Sequence, residues 1–318
     1  MPRPCTRTPP SPRSSAWRAR TPQPSAVASV AYEHGVGARR LPEWLRRPIA
    51  HGGEYAAVEG LLDELHLSTV CREAKCPNRG ECYASGTATF LIAGDVCTRG
   101  CRFCAVESRH PAPLDPDEPA RVAEAIARMG LRHAVITMVT RDDLADGAAG
   151  HVAATIVAVR DRTPEVAIEV LVSDLRGQPE AIDTVVDALP DVFNHNVETV
   201  PRLYETVRPG ADYRRSLGVL ARVKGRVPQI PVKSGLMLGL GETHDEVVAV
   251  MRDLREAGCE LLTLGQYLRP SAAHLPVAEF VEPSEFAELA RVGRRLGFSG
   301  VASAPLVRSS YHAAELLG

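Results

Sequence analysis

No run of apolar residues in this 318-residue chain approaches the roughly 18 to 20 that a membrane span requires. No short apolar core followed by a small-residue cleavage site marks a secretory signal either. No membrane partner is therefore expected, and the chain should stay in a reducing compartment. Net charge is nearly missing as well. The 37 basic and 39 acidic residues leave -2, which offers no global attraction to nucleic acid or to an anionic surface. Acidic residues are absent from positions 1–32, which hold seven prolines and five arginines. Such a segment cannot bury enough surface to order itself. Residues 1–40 are accordingly read as a disordered basic tail. Its composition is that of an organellar transit peptide, but the prolines prevent the amphipathic helix such peptides use. A cytoplasmic location is expected, with mitochondrial or plastid targeting as the alternative.

From "LPEWLRRPI" onward the sequence has the character of a folded protein. Residues 54–67 show helical apolar spacing. Beyond them short apolar runs at 87–93, 133–139, 167–172, 192–198, 232–240, 261–267 and 300–304 read as buried parallel strands. Amphipathic stretches at 118–129, 146–161, 178–188, 212–223, 243–257 and 283–296 fill the gaps as helices. This alternation implies an α/β fold with a parallel sheet, most simply a barrel or partial barrel. Chemically capable residues gather after the strands rather than before them, as in "TRDD" at 140–143, "NHNVET" at 194–199 and "GLGET" at 239–243. That end of a barrel is the one that carries active sites. An N-terminal extension over 41–86, the barrel over 87–305 and a C-terminal segment over 306–318 complete the expected organisation.

Cysteine is scarce, yet six of the eight cysteines fall within 34 residues. They form two triplets, "CREAKCPNRGEC" at Cys71, Cys76 and Cys82, and "CTRGCRFC" at Cys97, Cys101 and Cys104. In a reducing compartment, metal ligation is a better account than a disulfide framework. A tetrahedral zinc wants four ligands, commonly two close pairs, and neither triplet supplies a second pair. Three thiolates on a 4Fe-4S cluster instead leave one iron open to a substrate or cofactor. Cys259 ends a helix, where a buried inert thiol is the default.

The CX3CX2C spacing resembles that of the radical S-adenosylmethionine superfamily. The stretch "VCREAKCPNRGECYASGTATFLIAGDVCTRGCRFC" resembles lipoyl synthases in particular, as do "VFNHNVETVPRLYETVRPGADYRRSL", "KSGLMLGLGET", "LTLGQYLRPSAAHLPV" and "PLVRSSYHA". The resemblance covers roughly residues 41–314. It implies a TIM-like partial barrel and two 4Fe-4S clusters. Cys97, Cys101 and Cys104 would ligate the cluster that cleaves S-adenosyl-L-methionine, with Phe103 beside the adenine. Cys71, Cys76 and Cys82 would hold an auxiliary cluster whose fourth ligand is a serine of "RSSY", assigned to Ser310 with Ser309 as fallback. Without the resemblance the two serines read as a helix cap, and that role is kept for Ser309.

The implied activity is radical insertion of two sulfur atoms at carbons 6 and 8 of a protein-bound octanoyl group, with the auxiliary cluster as sulfur donor. The implied partners are octanoylated lipoyl carrier domains (the E2 subunits of 2-oxoacid dehydrogenases and the glycine cleavage H protein), an electron donor such as ferredoxin or flavodoxin, and an iron-sulfur carrier for cluster repair. Gly239, Gly241 and Glu242 read as cofactor-lining. Asn194, Asn196 and Glu198, on alternate positions of one strand, share a face. Asn196 and Glu198 are taken there as cofactor-binding, with mutual hydrogen bonding as the alternative, while His195 and Val197 face away. Arg99 and Arg102 would offset cluster charge or be solvated. The chain departs from the family pattern at Gly100, Ser173 and Ala304. Alanine at 304 would be strained if a positive φ is needed there.

Overall fold

The computed structural model describes residues 40–46 and 52–316, so the basic tail, Arg40 apart, lies outside the described residues. Seven strands carry the architecture: β1 Thr89–Ile92, β2 His133–Met138, β3 Ala167–Leu171, β4 Val192–Asn194, β5 Val232–Leu238, β6 Leu261–Gln266 and β7 Gly300–Ser303. Each pairs in parallel with the next in sequence. Helices alternate with them: α1 Glu118–Met129, α2 Ala149–Arg162, α3 Pro179–Asp187, α4 Tyr213–Arg226, α5 His244–Glu256 and α6 Pro283–Arg295. Every residue of β1 and of β6 is buried. Strands covered on both faces read as unbroken apolar runs, which is why they stand out in the sequence.

Local chemistry sets the helix limits. Pro179 and Pro283 open α3 and α6 at the first helical position, where the missing N–H costs nothing. Thr243 and Glu246 close a capping box on α5. Gly130, at φ 61°, ends α1 in the left-handed conformation. Helix α2 starts three residues later than its apolar pattern suggests. The Asp146 carboxylate accepts from the N–H groups of Ala148 and Gly150 and holds 146–148 as a turn.

The expected strand over 192–198 stops at Asn194. The N–H of His195 donates to Lys233 O and that of Glu198 donates to Gly235 O, so three steps on one chain oppose two on the other. One residue bulges out, and Glu198 takes a φ of 66°. Alternation is lost with the register.

The sheet does not close. A short strand, Ser68–Thr69, pairs antiparallel with β1 at one edge, and β7 forms the other edge. The fold is thus the expected partial barrel. Ser68–Thr69 leads directly into the helical turn Val70–Glu73 that carries Cys71. The Thr69 and Tyr83 hydroxyls meet at 2.7 Å and both residues are fully buried. At the other end of the chain a single 3-10 turn, Ala313–Leu316, packs against both β2 and β7 across the opening.

Candidate active site

The first element of the site is the loop from Cys97 to Cys104. Successive loops at the C-terminal ends of the strands hold it. Thr98 donates to Thr140 O through both its N–H (3.0 Å) and its hydroxyl (2.9 Å). The Arg99 guanidinium donates to both oxygens of Asp142 and both of Asp174. Arg102 N–H donates to Val207 O, and Arg102 O accepts from Leu275 N–H. The His274 ring meets Cys104 O at 2.9 Å. Arg99 is therefore neither solvated nor a spare cation facing the thiols: two carboxylates already match it. It is a bolt between the loop and the ends of β2 and β3.

The cation that does face the thiols is Arg208. It is almost wholly buried, and its Nη1 donates to Asn196 O (3.0 Å), Val197 O (3.2 Å) and the Tyr204 hydroxyl (3.2 Å). Its Nε has no partner among the described residues. Burial pushes the Cys101 thiol up, and the Arg208 charge opposes that rise. Burial likewise raises Glu198, again against Arg208.

The second element is the triplet Cys71, Cys76 and Cys82 in the N-terminal extension. Burial pushes Cys71 up to about 11 and Cys82 to about 12, with the neighbouring thiols adding to each shift. Cys104 is pushed up to about 12 by burial as well. All six cysteines are free thiols.

The third element comes from the far end of the chain. The segment 304–312 lies across β6, where a Cβ on Gly265 would fall 2.0 Å from Val307 O. Only glycine admits that approach. Ala304 does not have a positive φ and donates to Leu264 O at 3.2 Å, so alanine is unstrained there. Gly100 also lacks a positive φ, and a side chain in its place would make ordinary contact with Ser108. The Ser173 hydroxyl accepts from Leu175 N–H.

A single cavity of about 1140 Å³ joins these elements. Its wall includes all six cysteines of the two triplets, together with Phe103, Asn196, Glu198 and both Ser309 and Ser310. The serines differ. Ser309 donates to Asn196 Oδ1 at 2.8 Å, whereas no described residue hydrogen-bonds the Ser310 hydroxyl. Ser309 is thus not a helix cap, and the turn that follows it is 3-10 rather than α.

Other expected neighbours lie elsewhere. Gly239, Gly241 and Glu242 stay off the cavity wall. The Glu242 carboxylate folds back onto the N–H groups of Gly239 and Leu240. A Cβ on Gly239 would collide with Gln266 and Glu279 O, so tight packing and positive φ values explain these glycines. The bulge that follows β4 also removes Asn194 from the face of Asn196 and Glu198. Asn194 donates instead to Glu169, which pairs with the fully buried Lys233. His195 lines the cavity rather than facing away. Its Nδ1 meets Val172 O at 2.9 Å, and burial lowers its pKa to about 4.

The donor set suits iron-sulfur clusters. Among the described residues no three His, Cys, Asp or Glu side chains converge tightly enough to share one ion, as a tetrahedral zinc site requires. A cluster instead takes each thiolate on a different iron, and three per cluster leave one iron open.

In architecture the chain is similar to the FeFe-hydrogenase maturase HydG from Carboxydothermus hydrogenoformans, with a TM-score of 0.55 at 16% identity over 71% of this chain and 55% of that one. That likeness concerns the fold alone. The model of the radical SAM superfamily matches residues 91–254, and with the thiol loop at the head of a partial barrel it defines the class: a radical S-adenosylmethionine enzyme. The N-terminal domain model of lipoyl synthase of the same family matches residues 20–76. Lipoyl synthase of Methylococcus capsulatus is 58% identical over 89% of this chain and 88% of its own length. That of Caldanaerobacter subterraneus is 58% identical over 86% and 96%. The chain belongs to the lipoyl synthase family.

Proposed function

We propose that this protein inserts two sulfur atoms at carbons 6 and 8 of a protein-bound octanoyl group, forming the lipoyl cofactor. The observation that carries this reading is the single cavity whose wall holds both cysteine triplets and the serine pair. Unactivated carbon offers nothing for an acid, base or nucleophile to work on, so the difficult chemistry belongs to cofactors. When bound, S-adenosylmethionine and two 4Fe-4S clusters supply the radical, the electron and the sulfide.

The chain's own residues do the rest. Cys97, Cys101 and Cys104 hold one cluster. Cys71, Cys76, Cys82 and Ser310 hold the other. Arg208 places a buried positive charge beside Cys101, and Phe103, Asn196 and Glu198 face the space left for S-adenosylmethionine. The uncommitted hydroxyl of Ser310, against that of Ser309 spent on Asn196, supports Ser310 as the ligand. An oxygen donor would be a poorer match for a soft cluster than thiolate, so Ser310 would be its most weakly held ligand.

The domain limits proposed are an N-terminal extension ending near 86, a barrel to 305 and a C-terminal segment from 306. Octanoylated lipoyl carrier domains (the dehydrogenase E2 subunits and the glycine cleavage H protein) are the macromolecular substrates. Ferredoxin or flavodoxin is the reductant, and an iron-sulfur carrier restores the auxiliary cluster. No described helix is long and apolar enough to cross a membrane, and the bacterial relatives support a cytoplasmic site of action over an organelle.

The test is anaerobic incubation of the reconstituted protein with an octanoylated lipoyl domain, dithionite and S-adenosylmethionine, followed by intact-mass analysis of the domain. A gain of two sulfur atoms is expected. Cleavage of S-adenosylmethionine with no sulfur gained would overturn the reading.

A further inference from the structure

The serine pair sits between two hydrogen bonds that need no metal. On its N-terminal side, Asn78 Nδ2 donates to Leu306 O at 2.7 Å, and Asn78 is 1% exposed. On its C-terminal side, the Tyr311 hydroxyl donates to Glu81 Oε1 at 2.7 Å. Asn78 and Glu81 both lie between Cys76 and Cys82, Asn78 as N-cap of the helix Arg79–Ala84 and Glu81 within it, so both bonds run from the thiol-bearing segment to the one that carries the serines, some 230 residues away in the chain. We propose that Asn78, Glu81 and Tyr311 are positioning residues that clasp the 304–312 segment to the Cys76–Cys82 segment independently of any bound cluster.

The inference rests on the proposed assignment of Ser310, and it answers a difficulty which that assignment creates. A ligand that must let go of iron during sulfur delivery cannot also be what fastens its own segment. With Leu306 and Tyr311 held on either side, Ser310 can release and rebind while its backbone stays in place. The cysteine segment keeps the matching half of the site together, since Asn78 O accepts from Cys82 N–H in the first turn of the helix Arg79–Ala84 and Cys71 O from Cys76 N–H. Leu306 O can only accept, so the Asn78 atom facing it must be the amide NH2. Aspartate at that position would set two acceptors against each other.

Hydrogen exchange read by mass spectrometry on the full chain, with and without reconstituted clusters, tests this. In the metal-free protein, Asn78→Ala should speed exchange of the 304–312 amides by roughly three- to tenfold, the loss of one neutral hydrogen bond, and Tyr311→Phe by about tenfold or more, since its acceptor is a carboxylate. The pair together should exceed either alone, with β1 to β6 unchanged. Glu81→Gln, which keeps an acceptor oxygen, should retain most of the protection. In the reconstituted protein, the first two variants should lose auxiliary iron and sulfur insertion while still forming 5′-deoxyadenosine. Unchanged exchange at 304–312, or a rise spread evenly over the whole sheet, would overturn the clasp. Faster exchange at 304–312 with parental iron content and lipoyl yield would uphold the clasp and count instead against Ser310 as the ligand.

Discussion

Ser309 and Ser310 are neighbours in sequence with different environments, and the difference is testable. Ser310→Cys should keep or strengthen the auxiliary cluster, because thiolate suits iron-sulfur better than a hydroxyl, while lipoyl formation falls by tenfold or more at about the parental rate of S-adenosylmethionine cleavage. Iron content and lipoyl yield, read side by side, decide it; lipoyl made at the parental rate would mean that ligand release is not the reason for serine. Ser309→Ala should instead free Asn196 Oδ1, costing about 1 kcal/mol of stability without removing auxiliary iron. At this scale much was legible before the fold was known. The six cysteines and the serine pair announce themselves by type and spacing. Arg208 did not, since it is one of four arginines between 202 and 215 and only the fold decides which of them is buried. His195 was hidden for a different reason. Its placement depends on a one-residue bulge that no pattern of polar and apolar residues encodes.

The strand-helix order could be read from the sequence, because strands buried on both faces leave continuous apolar runs and because Pro179, Pro283 and the Thr243 box punctuate the helices. What could not be read was how the thiol loop is fastened. Arg99 bridges it to Asp142 and Asp174, and the Asp174 side chain is fully buried. Removing the guanidinium leaves the buried Asp174 with Arg215 alone, 2.9 Å away, and unties both carboxylates from the loop. Arg99→Gln should therefore misplace the Cys97–Cys104 loop. The expected outcome is that 5′-deoxyadenosine formation is lost and iron falls by about one cluster's worth, with the auxiliary site still filled. Loss of both clusters together would show that the bolt supports the whole head of the barrel rather than this loop. The "GLGET" glycines teach the opposite lesson. They read as a cofactor cradle, and the close packing of Gly239 against Gln266 together with the positive φ of Gly241 accounts for them without one.

At the scale of the molecule, two neighbouring cysteine triplets and a remote C-terminal segment meet at one cavity beside a sheet that stays open. The Ser68–Thr69 strand brings the first triplet to the free edge of β1, and the C-terminal segment crosses β6 and packs back against β2. The central claim is that the sulfur delivered comes from the protein's own auxiliary cluster. The direct measurement is a single turnover by protein reconstituted with 34S-sulfide, alongside a Cys76→Ala variant prepared identically, with unlabelled medium and an octanoylated lipoyl domain as substrate. The account predicts a lipoyl group carrying two 34S atoms from the parent and 5′-deoxyadenosine without sulfur insertion from Cys76→Ala. Unlabelled sulfur in the product, or labelled lipoyl made by the variant, would contradict it.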